Sequence, residues 1–420
     1  MHHKITPSST VRRLSSQNRQ ILKEMVTDEN GPGTVLRDFE TLLRFIGPAG
    51  TKVGSKAGFL PAEALPKLNA ELVHPLQIGV ERPQQKSYPN INCLYLLLRA
   101  SGMSHVTKQG KDNLLFLDET VMQSWRNLNP TERFFTLLES WLLRGKPEIL
   151  GERPWGILGP AIKWATLFSN IPDQGLEVSG NKSAEHTITY SLGLSGVAML
   201  NLFGLINVES AAPEQGKGWL IARIQRTDFG DALLQLLYEP LTYWEDYGAY
   251  EKNALSPSFG LLQPLLQPLF PEWQKNLTVP EPGFRDGVYV FKVSIGRIWR
   301  RIAAPGRLDM DSLSRIVLDS FDFDYDHLYS FTFKSRFGTD VSVNHPGTED
   351  DPPLADTTLI GELEFRPGLE IEFLYDFGDM WKFRIQLEEI RPADPKMAKA
   401  VIIESRGQAP EQYDRWDEDE

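Results

Sequence analysis

The sequence predicts an α+β protein in two parts: a mostly helical N-terminal region, and a C-terminal domain on a mostly antiparallel sheet. Three observations carry that expectation. Over residues 370–390, Ile371, Phe373 and Tyr375 fall on one face. The centre Asp376-Phe377-Gly378-Asp379 follows, and then Trp381, Phe383, Ile385 and Leu387 alternate with Lys382, Arg384, Gln386 and Glu388. Period-two alternation around a Gly-containing turn is the pattern of a β-hairpin with one face on a core. Second, Val35, Leu36, Phe39, Leu42, Leu43 and Ile46 recur at helical spacing, as do Met310, Leu313, Ile316, Val317 and Phe321. Third, a helix followed by a hairpin recurs along the first half.

That recurrence shows in paired segments. Thr51–Leu68 and Thr107–Trp125 each carry Thr-Lys-x-Gly, a further Lys, an apolar pair and then a helix. The stretch Ser195–Leu237 runs helix, strand to Val208, Gly-rich tip, strand from Trp219, helix. These read as winged-helix-like helix–hairpin repeats. "NPTERFFTLLESWLL" is an amphipathic helix with Thr131 as its expected N-cap. The expected divisions are a tail and helix start at 1–30, helical winged-helix-like regions at 31–150 and 151–255, and a Pro-rich linker at 256–286. The α+β domain follows at 287–403, with an acidic disordered tail at 404–420.

Within the C-terminal domain the expected order is strand Val288–Ile302, helix Met310–Phe321 capped by Asp309, acidic loop, and strand Tyr329–Phe337. An acidic excursion (Thr339–Asp356), a short helix near Leu359 and the hairpin complete it. Gly378 is expected to supply the positive φ of the hairpin turn.

Composition narrows the function classes. The chain has 420 residues and a formal net charge of −12, with 41% hydrophobic residues. Residues 288–403 carry a net −6 and residues 404–420 a net −5, so the acid is concentrated after the midpoint. An acidic half repels a phosphate backbone, which disfavours nucleic acid as its partner. The single cysteine, Cys93, excludes an internal disulfide and a Cys-rich zinc site, and fits a reducing cytoplasm. Thr187–Val208 carries no charge, but its Asn201, Asn207, serines and glycines, without flanking cations, read as a buried helix running into a strand. No membrane span is expected.

The segment "YDFGDMW" followed by an alternating strand and "LE" resembles the signature of the plasmid pRiA4b ORF-3-like family. The stretch "VFKVSIGRIWRRIAAPGRLDMDSLSRIVLDSFDFDYDHLYSF" is similar to that family's opening, and "FGLLQPLLQPLFPEWQKNL" to the linker of its long members. The resemblance covers about Gly287 to Arg391. It implies a connection with plasmids and mobile elements, where relatives are sometimes labelled resolvase-like, and no established reaction. Two positions depart from the family pattern: Phe383 and Tyr329 stand where many relatives carry histidine.

The carboxylates offer the sharpest chemistry. Asp324, Asp326 and His327 share one loop, and Asp376, Asp379 and Trp381 lie at the hairpin turn. If the loops meet, oxygen ligands of this kind suit Mg²⁺ or Mn²⁺ and metal-assisted phosphoester hydrolysis; otherwise the aspartates cap turns and no cofactor is required. A phosphate-binding loop, a nucleophile elbow and zinc spacing are absent from the sequence. Arg297, Arg300 and Arg301 alone do not make a recombinase site. The residues therefore favour a cytoplasmic binding protein with a protein partner, a basic one by charge, over an enzyme. A metal-dependent phosphoesterase and a DNA-binding accessory factor acting through the winged-helix-like units are the alternatives.

Overall fold

The computed structural model describes residues 14–54, 58–109, 111–152, 159–246, 258–281, 283–348 and 353–412. The first thirteen residues, the end of the aromatic cluster near Tyr247 and residues 413–420 of the expected tail lie outside them. The chain divides into two compact units. One comprises residues up to Val106 with Asn113–Pro280, the other Thr107–Asp112 with Glu281 onward.

The first unit opens with α1 (Ser16–Glu24). It then runs α2 (Val35–Ile46), β1 (Thr51–Val53), α3 (Leu65–Glu71) and α4 (Pro89–Ala100), followed by β2 (Ser104–Gln109) and β3 (Asp112–Leu117), of which Thr107–Asp112 belong to the second unit. After α5 (Glu119–Arg126) and α6 (Pro130–Leu142) the same order returns. It is α7 (Pro160–Ser169), β4 (Leu176–Glu177), α8 (Lys182–Ser191), α9 (Gly193–Leu202), β5 (Ile206–Ser210) and β6 (Ile221–Arg226). The sheets are ordered β1-β3-β2 and β4-β6-β5, so in both the third strand lies between the other two. Helix α10 (Asp228–Asp246) and the short α11 (Gln263–Leu266) close the unit.

The repeat thus exists, but in a different phase from the one read in the sequence. Thr51 pairs with Leu115, which places the two Thr-Lys segments in one sheet as its first strand and its hairpin. The spacing of polar turn residues imitated a repeat inside a single unit. What recurs is the order of helices and strands, with the third strand central in each sheet.

Helix α4 explains how the two copies hold together. All its residues except Leu96 are buried, and it packs against α9. The Cys93 thiol donates to the Ser195 carbonyl at 3.0 Å, and Asn92 Nδ2 lies 3.5 Å from Ser195 Oγ. Burial pushes the Cys93 thiol pKa up, which leaves it a packed, unionised group. The tip of the β5–β6 hairpin is pinned as well: Gly79 donates to the Lys217 carbonyl and Gly216 to that of Gly79, both at 2.8 Å. At Gly33, with φ of 68°, a Cβ would lie 2.2 Å from the Leu202 carbonyl oxygen.

Two expectations about this region are corrected. Helix α6 is capped by Asn129, not Thr131. Asn129 and Glu132 form a reciprocal capping box, while the Thr131 hydroxyl bonds that of Thr27 at 2.6 Å. The Pro-rich stretch is not a linker where it is described. Leu262, Leu266 and Trp273 are fully buried, and the Trp273 ring stacks on Phe135 at 4.6 Å. Buried acids hold its backbone: Glu139 accepts from Gly260 and Leu262 at 2.7 Å each, and Glu132 from Gln274 and Lys275. Prolines remove backbone donors, and these carboxylates satisfy some that remain.

The second unit is an α+β domain on a seven-stranded sheet of order β10-β9-β11-β12-β7-β8-β13, every pairing antiparallel. Its strands are β7 (Val288–Ile295), β8 (Ile298–Pro305), β9 (Tyr329–Lys334), β10 (Asp340–Asn344), β11 (Glu370–Tyr375), β12 (Trp381–Arg391) and β13 (Val401–Arg406). Helix α12 (Met310–Asp319) is capped by the Asp309 carboxylate, as expected, and shares a core with Phe291, Phe331, Phe373 and Phe383. The single strand expected over Val288–Ile302 is two strands, folded back at Gly296 (φ 56°), because both arms are equally apolar and only one glycine marks the turn. The acidic excursion supplies β10, and the short helix near Leu359 is one 3₁₀ turn, Ile360–Glu362. The sheet also extends past 403, since β13 pairs with β8.

Candidate functional site

Strands β11 and β12 bring the acidic loop and the hairpin turn to one end of the C-terminal domain. Tyr375 pairs with Trp381 across the hairpin and with Tyr329 on β9, so residues 376–380 lie beside the loop that precedes β9. The loops are tied directly: the Asp376 amide donates to the Leu328 carbonyl at 3.0 Å.

Tyr375 is the second tie. Its hydroxyl lies 2.6 Å from the Asp324 carbonyl and 3.0 Å from Asp326 Oδ1, either of which can take its proton, and it accepts the Asp326 amide at 3.2 Å. Burial, then the neighbouring Asp326 carboxylate, pushes its pKa up to about 12, so the phenol stays a donor at neutral pH. His327 closes the arrangement. Its Nε2 stands 3.6 Å from Asp326 Oδ2 and 3.5 Å from Asp376 Oδ2, with Asp376 only 7% exposed.

The turn is made differently from the expectation. Gly378 does not carry the positive φ; Asp376 (55°) and Met380 (58°) do. The Asp376 carboxylate accepts the Gly378 amide at 2.9 Å, and the Asp376 carbonyl accepts the Met380 amide at 2.7 Å. An aspartate that bonds its own turn tolerates the left-handed region. Among the described residues the non-glycine positions with positive φ are Asp322, Asp376 and Met380, all in these two loops. Backbone held in a rare region clusters where a loop's shape matters.

Of the six residues singled out by sequence, the structure joins Asp326, His327 and Asp376. Asp324 contributes its carbonyl while its side chain is exposed. Asp379 is exposed at the turn. Trp381 is partly buried and packs edge-on against Phe323 at 4.9 Å, a packing role. Among the described residues no group of three or more His, Cys, Asp or Glu is placed to hold a metal ion. Phe383 and Tyr329, the two departures, face the core, and the Tyr329 hydroxyl donates to Asp311. Burial, followed by that carboxylate, raises the Tyr329 pKa. Two of the three arginines are spent within the domain, Arg300 Nε donating to the Ser320 carbonyl at 2.6 Å and Arg301 pairing with Glu388 at 2.7 Å, while Arg297 is exposed.

Sequence reasoning missed the surface of this end. Tyr325, Leu328, Phe377 and Met380 are each 39–47% exposed. A visible signal existed: Phe377 and Met380 stand in a tight turn, where polar residues are the rule. The cleft beside the loops, lined in part by Tyr325, His327, Tyr329 and His345, amounts to about 30 Å³, too little for a substrate.

No curated protein matches the chain. A crystal structure of a protein of unknown function from Methanosarcina mazei Go1 is 24% identical over 29% of this chain and 70% of that one, with a TM-score of 0.26. No helix among the described residues is long and apolar enough to cross a membrane. The residues that carry the hairpin, its loops and the helix capped by Asp309 fall inside one match: residues 288–413, the C-terminal domain, match the family model described as plasmid pRiA4b ORF-3-like protein, and the region before them is matched by no family.

Proposed function

We propose that this chain is a non-catalytic cytoplasmic binding protein, with the N-terminal unit as scaffold and the loop end of the C-terminal domain as recognition surface. The observation that carries the reading is the division of labour in that end. Asp326, His327, Tyr375 and Asp376 fasten two strained loops together, while Tyr325, Leu328, Phe377 and Met380 stay exposed on them. Large apolar side chains held outward on rigid loops are what a partner buries.

The order helix–strand–helix–helix–strand–strand, with the third strand central, supports a winged-helix reading for both N-terminal copies. In such modules the third helix enters the major groove. Here the third helices, α4 and α9, pack on each other, which argues against the DNA-binding alternative. A role in plasmid or mobile-element biology is proposed on the family's description alone.

Two measurements test the reading. In a mobility-shift series, full-length protein is expected to bind duplex DNA no more tightly than micromolar at physiological salt; tight binding with a steep salt slope would overturn it. Millimolar Mn²⁺ or Mg²⁺ is expected to leave the melting temperature unchanged. A rise of several degrees, abolished by Asp326→Asn, would favour metal-assisted hydrolysis instead.

A further inference from the structure

Resting on the reading of the loop end as a recognition surface, we propose that its occupant is a cationic polypeptide segment that also carries apolar side chains. Residues 322–328 and 376–380 hold five aspartates and His327, with no lysine or arginine. Two of the five are committed: Asp326 to Tyr375 and His327, Asp376 to Gly378 and His327. The other three, Asp322, Asp324 and Asp379, are exposed, and among the described residues no lysine or arginine pairs with them. Uncompensated carboxylates beside exposed Tyr325, Leu328, Phe377 and Met380 ask for positive charge and apolar surface from the same partner.

Other occupants fit less well. Nucleic acid and anionic lipid bring the charge already present here. A small molecule finds little room, since the cleft beside the loops is about 30 Å³. Arginine suits the site better than lysine, because a guanidinium pairs with carboxylates through two parallel hydrogen bonds and also lies on aromatic faces. Tyr325 already does the latter within the domain, with the Arg315 guanidinium 5.6 Å from its ring centroid. The loops need little rearrangement to bind, being fixed by the Asp376–Leu328 and Tyr375–Asp326 hydrogen bonds, which lowers the ordering cost.

The test uses the full-length chain and three short fluorescent peptides: alternating arginine and leucine, alternating arginine and glycine, and alternating glutamate and leucine. Anisotropy is expected to rank arginine–leucine first, with affinity falling at least about tenfold between low and high salt. The triple variant Asp322→Asn, Asp324→Asn, Asp379→Asn, and separately Phe377→Ser with Met380→Ser, are each expected to weaken binding by about tenfold or more. All five positions are exposed, so melting temperatures should stay near wild type. Equal binding of the glutamate–leucine peptide, or of the arginine–glycine peptide, would overturn the proposal. Loss in the Phe377/Met380 variant without loss in the aspartate variant would sink the cationic occupant and leave the recognition surface standing. Unaltered binding in both variants would remove both.

Discussion

At the scale of single residues, two glycines separate what the sequence suggests from what the backbone requires. Gly33 sits at φ 68° with the Leu202 carbonyl 2.2 Å from where a Cβ would be, so Gly33→Ala is expected to cost more than about 2 kcal/mol in urea denaturation. Gly378 has only an Asp376 carboxylate oxygen, 3.2 Å from its would-be Cβ, and Gly378→Ala is expected to cost under about 1 kcal/mol. A large loss at Gly378 would show that the loop conformation is misassigned. Glu139 supplies a pH dependence. Burial pushes its pKa up to about 7 from 4.5, against the opposing pull of three backbone amides and Arg144. A carboxyl whose folded pKa is raised holds its proton more tightly when folded. Its contribution is fully present below the unfolded value and is lost as pH rises through about 7. The first unit should therefore lose up to about 3 kcal/mol between about pH 4.5 and about pH 7.5 from this group. Glu139→Gln is expected to lower stability, because one backbone amide loses its acceptor, and to flatten that slope; an unchanged slope would assign the titration elsewhere.

At the scale of elements, Tyr375 connects a strand to the loop it must position. Tyr375→Phe keeps the ring in the core and removes the hydroxyl beside Asp324 and Asp326, with an expected cost of about 1–2 kcal/mol. Hydrogen exchange should then quicken at the Asp326 and Asp376 amides while β11 stays protected; uniform protection would mean that the hydroxyl does not fasten the loop. The β11–β12 hairpin was legible because seven apolar residues recur at every second position on its two arms, and all of them but the partly buried Trp381 lie in the core. The cap of α12 was legible for a local reason, an aspartate three residues before the amide it accepts. The turn at Gly296 was not, since apolar residues on both sides read as one long strand. Strand β13 was hidden too: it is exposed along its length, so it carries no buried periodicity to find. Its place in the sheet comes from backbone pairing with β8.

At the scale of the whole molecule, the α+β class and the position of the C-terminal domain were readable, and half of the candidate site was. Asp326, His327 and Asp376 converge because Tyr375 and Trp381 fix the hairpin register, which alternation announces. The exposed side chains around them follow from tertiary placement, which it does not. The Pro-rich stretch was misread because proline density marks a chain that cannot be helix or central strand, and that holds equally for a linker and for a packed irregular segment. Burial by Glu132, Glu139 and Phe135 decides between them, and those residues lie more than a hundred positions upstream. The packing of α4 on α9 also bears on how this protein can be cut. A fragment ending near residue 150 would present to water a helix that carries Ile91, Cys93, Leu94, Leu97 and Leu98, with its covering helix gone. Such a piece is expected to aggregate on expression, and the complementary fragment to be recovered only when the two are co-produced. The two copies therefore share one fate in the cell: a protease nick between them would leave an assembled, non-covalent heterodimer rather than two independent modules.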